Sequence, residues 1–177
     1  MIKRFLDRIT SSFTILSGLA LIFMLLQISV DVFCKYVFNT PLLWTMDVVA
    51  SYMMVAIVFL PLAEVERKNS HIRVELLIQG MSYPVRRVMV AFSTIVSIVY
   101  FAALTWRTWG DAIDKFHIGE YVMGEAQVTV WPSRFFLPIG CAVLVLLLLY
   151  KLWRYITDKE FLEEEEKLAA SGELFDE

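Results

Sequence analysis

Apolar residues in this chain fall into four blocks separated by charged hinges. Charge-free runs extend from Ile9 to Val30, from Val48 to Ala63, from Val88 to Trp106 and from Phe135 to Tyr150. A soluble helical bundle would show polar faces at helical spacing, but Leu144 to Tyr150 is apolar all the way round, which no water-facing helix tolerates. About 20 mainly apolar residues carry a helix across a hydrocarbon core of roughly 30 Å. The first and third runs meet that length outright. The second reaches it if Trp44 to Asp47 extend it at the interface. The fourth is short, but Arg134, Lys151 and Arg154 can snorkel, and Trp153 and Tyr155 suit the headgroup region. The pattern predicts an all-α integral membrane protein. Four transmembrane helices are expected over about 9–33, 44–63, 86–108 and 134–155 in a membrane domain 1–157, followed by an acidic tail, 158–177.

The hinges set a topology. Lys3, Arg4 and Arg8, then Arg67, Lys68, Arg73, Arg86 and Arg87, then Lys151, Arg154, Lys159 and Lys167 fall on one side. Only Lys35, Arg107, Lys115 and Arg134 fall on the other. The positive-inside rule then predicts that both termini are cytoplasmic. The basic start and apolar run imitate a signal peptide. The run is too long for one, however, and no small-x-small site follows it, so it reads as an uncleaved first helix. Between spans two and three, Val74, Leu77, Ile78 and Met81 recur at helical spacing among polar neighbours, which predicts a short amphipathic interfacial helix. On the other side, Trp106, Trp109, Ile113 and Phe116 continue a helical stripe past span three. Gly119, Gly124 and Thr129-Val130-Trp131-Pro132 then read as loop and re-entry.

Composition removes whole classes of function. The chain is 58% hydrophobic, whereas soluble domains are nearer half. The net charge of −3 comes largely from the tail, where Glu163 to Glu166 form an acidic run. Without a basic patch interleaved with aromatics, nucleic acid is not an expected partner. His71 and His117 both lie outside the apolar runs, which argues against haem held by histidine pairs. Neither a phosphate-binding loop nor a Ser/His/Asp set is visible, so the chain does not read as an enzyme. Cys34 and Cys141 form no CxxC pair; they read as small buried hydrophobes, though both lie toward one membrane face, where a disulfide is conceivable.

Ionisable residues inside a membrane are the first functional suspects, yet Asp31, Lys35, Asp47 and Glu64 all sit at predicted span ends. There, solvation by water or headgroups is expected, with an Asp31–Lys35 pair available at i, i+4. Pro61 is expected to kink span two near its cytoplasmic end. Small residues at Ser11, Thr14, Ser17, Gly18, Ser93 and Ser97 suit close helix packing, within a four-helix bundle or against a larger membrane subunit. Four spans without an ionisable centre fit an accessory subunit. A stand-alone four-helix module, such as a sensor or assembly factor, fits the same pattern.

One stretch carries more. Val37 to Asp47 contains Pro41-x-x-Trp44 and an acidic residue opening span two. Span two then leads through the basic turn Arg67-Lys68 to His71-Ile72-x-Val74-Glu75. This resembles the small, DctQ-type membrane subunit of tripartite ATP-independent periplasmic (TRAP) transporters, most specifically over about residues 33–77. Trp131-Pro132 with Pro138 and Gly140 also looks family-like, while Met46 stands where the family commonly has a second acidic residue. The resemblance implies an inner-membrane complex. A soluble periplasmic binding protein would deliver an organic anion, a carboxylate or sulfonate, to a large DctM-type elevator subunit driven by sodium. The small subunit would be a scaffold and part of the docking surface, with no cofactor of its own and sodium held by the large partner. It further implies that Trp44, Asp47, Trp131 and Pro132 serve an interface. Arg67, Lys68 and His71 would fix the cytoplasmic turn and touch lipid headgroups, or form a solvated turn that follows the positive-inside rule, and Arg107, Asp111, Asp114, Lys115 and Glu120 would form a solvated loop or offer docking charges.

Overall fold

The computed structural model describes residues 2–40, 42–68, 83–123 and 127–157. His71, the amphipathic segment Val74 to Met81 and the acidic tail lie outside the described residues. Among the described residues four helices are long and apolar enough to cross a membrane. We label them α1 (Ile2–Phe38), α2 (Thr45–Arg67), α3 (Tyr83–Ile118) and α4 (Phe136–Thr157). α1 and α3 have 37 and 36 residues, so each is about 55 Å long at 1.5 Å per residue. Both are much longer than a bilayer core.

Each long helix stops where its sequence allows a left-handed residue. Asn39, at φ 53°, ends α1, and the Thr40 N–H bonds back to the Cys34 carbonyl. Gly119, at φ 68°, ends α3. Its N–H reaches the Phe116 carbonyl and the Glu120 N–H reaches the Lys115 carbonyl. This pair of bonds is a Schellman cap, which needs a residue without a Cβ penalty at that point.

The helices form an open row rather than a closed bundle. α1 packs on α2, α2 on α4, and α4 on α3. α4 is the core helix, with 44% of its apolar window buried against 11% for α1 and 6% for α3. Val143, Leu144, Leu147 and Leu148 of α4 cluster with Ala63 of α2, and Ile9, Phe13, Ile98 and Phe101 close over them. Of the small residues expected inside a bundle, Ser17 is buried, but Ser11, Gly18 and Ser93 face outward.

α2 and α4 approach at backbone distance. A Cβ on Gly140 would stand 2.1 Å from the Phe59 carbonyl oxygen. α2 itself is built in pieces: a short α turn (Thr45–Val48), a π turn (Val49–Met53), an α segment (Met54–Phe59), then a break and a last α turn (Leu62–Arg67). The break is at Pro61, as the sequence anticipates. Pro61 has no N–H, so the Ile57 carbonyl one turn earlier loses its ladder partner. The Ser17 hydroxyl of α1 donates to that carbonyl at 3.3 Å. Ser17→Ala should therefore cost about 1–2 kcal/mol. The cost should largely vanish in a Pro61→Ala background, where the ladder is restored. Thermal unfolding midpoints of the four proteins in detergent would check this.

The all-α expectation needs one correction. After Gly119 the chain forms a small antiparallel hairpin, β1 (Tyr121–Met123) with β2 (Gln127–Thr129), in register Tyr121↔Thr129, Val122↔Val128 and Met123↔Gln127. Val, Tyr and Thr favour the pleated conformation, but three-residue strands are too short to show a period.

Candidate functional site: hairpin platform and basic-end ion cluster

At the hairpin end α3 continues unbroken from Arg107 to Ile118, about 18 Å beyond its charge-free run. A 3-10 turn, Trp131–Phe135, leads the chain back into α4. Two edge-to-face ring pairs join these elements: Phe116 with Trp131 at 4.8 Å and Trp109 with Phe135 at 6.0 Å. The stripe that the sequence places on α3 thus holds the re-entrant turn. Glu120 is the polar centre. Arg134 donates to both its carboxylate oxygens, at 3.0 and 3.1 Å, and Lys115 lies 3.4 Å away. The Glu120 carbonyl accepts from Val130 and Trp131 N–H. From α2, the Tyr52 hydroxyl donates to the Thr129 carbonyl at 2.5 Å. Hairpin, α2, α3 and the start of α4 are therefore braced into one platform.

Lys115 and Glu120, read from sequence as docking charges, are engaged inside this brace. Arg107 and Asp111 form an exposed pair on α3 at 3.6 Å, and Asp114 is exposed. Apolar side chains project beside these charges: Ile118 and Met123 are 73% and 84% exposed.

The hydrogen bonds from Arg134 hold the Glu120 carboxyl below the ordinary glutamate range. A depressed carboxyl stabilises the fold fully above its unfolded pKa, and that contribution is lost as pH falls through the depressed value. Hydrogen exchange of residues 120–135 should accordingly rise on acidification below the ordinary glutamate range. In Arg134→Gln the same exchange should be raised already at neutral pH and respond much less to acid.

The four interface candidates do not converge. Trp131 and Pro132 start the re-entrant turn and are half-buried in the platform. Trp44 precedes α2, is 42% exposed and has no ring partner among the described residues. Asp47 lies in the first turn of α2, where a carboxylate complements the helix dipole. Asp31 does the local work: its Oδ1 accepts the Leu42 N–H at 2.6 Å, anchoring the turn from α1 into α2. No Asp31–Lys35 ion pair occurs among the described residues.

The basic end holds a second constellation. The Glu64 side chain is 8% exposed, not solvated as its position at a span end suggests. Arg67 grips both its carboxylate oxygens through Nε and a terminal nitrogen, and reaches Asp7 of α1 at 3.4 Å. Lys68 stands 3.9 Å from Glu64. Nearby, Lys151 of α4, 4% exposed, donates to the Glu66 carbonyl at 2.7 Å and to its carboxylate at 3.1 Å. Arg67 and Lys68 thus turn toward α1 and α2, and the cluster ties α1, α2 and α4 together. Its sequence signal was opposite charges one turn inside the ends of neighbouring spans. Composition alone does not show which of them face inward.

Among the described residues no group of His, Cys, Asp and Glu is placed to hold a metal ion. Cys34 and Cys141 are both free thiols, and Cys141 is fully buried. Among the described residues neither end assembles a nucleophile with a base. Both ends are structural joints, and the hairpin end in addition exposes Ile118 and Met123.

Residues 24–158 match the family described as tripartite ATP-independent periplasmic transporters, DctQ component. The match continues past the segment that carries the resemblance, through α3, the platform and α4, and it includes Trp44, Asp47, Arg67, Lys68, His71, Trp131 and Pro132. No match was found among the curated proteins compared with it. The family consists of inner-membrane transport components that work with a large DctM subunit and a periplasmic binding protein. With its four apolar helices and a family match over most of its length, the chain belongs to the DctQ family, the small membrane component of TRAP transporters.

Proposed function

We propose that this chain is the scaffold subunit of a sodium-driven importer of an organic anion, a carboxylate or sulfonate delivered by a periplasmic binding protein. In this reading both termini and the ion cluster lie on the cytoplasmic side, and the hairpin platform faces the periplasm. The large elevator-type subunit carries the sodium and substrate sites and moves against the fixed row of helices. The observation that carries the reading is the combination of an open row with apolar outer helices and an internally braced platform from which Ile118 and Met123 project. An open row offers long flanks to another membrane protein, and the platform offers a stiff contact for a soluble one.

The test is site-specific photo-crosslinking in native membranes. Probes at Phe92 and Ile95 on α3, and at Leu19 and Ile22 on α1, read the flanks. Probes at Ile118 and Met123 read the platform. At least one flank should capture a large polytopic permease, and the platform should capture a soluble periplasmic protein in the presence of its anion. A chain that yields only lipid adducts at all six positions, and purifies alone in mild detergent, would be a stand-alone membrane module.

A further inference from the structure

Among the described residues, two buried polar side chains have atoms with no hydrogen-bond partner. The Gln27 side chain of α1 leaves both Nε2 and Oε1 without hydrogen bonds, and Thr45 of α2 leaves Oγ1 without one. Gln27 is 7% exposed and Thr45 is 1% exposed. Buried polar groups are nearly always satisfied, and leaving three such atoms dry is unfavourable in hydrocarbon surroundings.

Their common location follows from the helix register. α1 and α2 run antiparallel, and two side-chain bonds fix their alignment: Ser17 to the Ile57 carbonyl, and Asp31 to the Leu42 N–H. Interpolating between these contacts puts Gln27 level with about residue 46 of α2. Gln27 lies one turn from Asp31 on the same face of α1, and Asp31 reaches the lead-in to α2. Gln27 therefore faces α2 where Thr45 and Val49, also one turn apart, are buried. The π turn Val49–Met53 starts at the same depth, and such widened turns recur at functional sites.

We infer that the seam between α1 and α2 holds a buried hydration site, with ordered water bridging Gln27 and Thr45 beside the π turn. The atoms select the ligand. Gln27 presents a donor and an acceptor, and the Thr45 hydroxyl can do either. Water complements that mixed set. A bare cation does not: it would take Gln27 Oε1 and Thr45 Oγ1 but leave Gln27 Nε2 unpaired, and of the carboxylates at this level Asp31 already accepts the Leu42 N–H while Asp47 lies about half a turn round α2 from Thr45, off the buried face. Buried waters typically make about three hydrogen bonds to groups of this kind.

The experiment uses the full chain purified with its native subunits, comparing Gln27→Leu, Thr45→Val and the double variant by thermal midpoint. A shared water predicts that each single change lowers the midpoint by roughly 2–4 °C. The double variant should then fall no further than the worse single. A dry seam predicts the reverse, because deleting an orphaned polar group relieves its burial. Single changes that raise the midpoint or leave it unaltered overturn the inference. A midpoint that rises specifically with sodium, and ceases to do so in Gln27→Leu, overturns it in favour of a cation. As a measurement independent of any variant's stability, water-edited solid-state NMR of the glutamine-labelled protein should show transfer from water to a side-chain amide that disappears in Gln27→Leu. A Gln27 amide silent to water would also overturn it.

Discussion

Gly140→Ala should lower the unfolding midpoint by roughly 10 °C and strip most of the chain from its complex. A Cβ at this position would meet the Phe59 carbonyl oxygen at 2.1 Å and its carbon at 2.7 Å, well inside any tolerated contact. The obstacle is backbone, so no side-chain rotation relieves it. α2 and α4 must separate, which loosens Ala63 from Leu144, Leu147 and Leu148. Overpacking a tight site typically costs 1–3 kcal/mol, and a clash with fixed backbone belongs at or above the top of that range, about 3 kcal/mol. Gly18→Ala is the control. Nothing lies within 4 Å of its Cβ position, and alanine is the better helix former. Detergent-solubilised midpoints and co-purified partner yield should separate the two variants clearly. Equal behaviour would mean that α2 and α4 do not touch through backbone.

Arg67→Met should be the second severe change, at about 3–5 kcal/mol. It leaves the Glu64 carboxylate, nearly buried, with only Lys68 at 3.9 Å as a cationic neighbour among the described residues. It also cuts the link from α2 to Asp7 of α1. The double change Glu64→Gln with Arg67→Met removes both charges and should recover a large part of the loss, since most of the single-variant cost is an uncompensated buried charge. Thermal midpoints around this cycle test the assignment. If Arg67 acted mainly on lipid phosphates, as the positive-inside pattern alone suggests, neutralising Glu64 would rescue nothing.

These two residues also show what could be read from the chain. The blocks of apolar residues locate the four helices, because crossing hydrocarbon demands length and the absence of charge, both plain in sequence. The Pro61 break and the continuation of α3 through Trp109 and Phe116 were legible for similarly local reasons. Gly140 was visible only as a family-like glycine; its contact with Phe59 depends on how two distant helices cross. Glu64 and Lys151 sit where solvation is the simplest expectation, and only the packing of α1, α2 and α4 buries them. Asp31 looked like half of a helical ion pair but serves a turn eleven residues away. The hairpin escaped notice because it is brief and has no hydrophobic period. The resemblance around residues 33–77 identified the family without explaining any of these joints.

The piecemeal construction of α2 has a mechanical consequence. α1, α3 and α4 are continuous rods, while α2 changes winding at Val49–Met53 and breaks at Leu60–Pro61. α1 is joined to the rest chiefly through α2, whereas α3 and α4 share the most extensive contact and the platform. A displacement of α1 would therefore pass to the other helices through α2, and it would reach the platform by way of the π turn, because Tyr52 within that turn holds the Thr129 carbonyl.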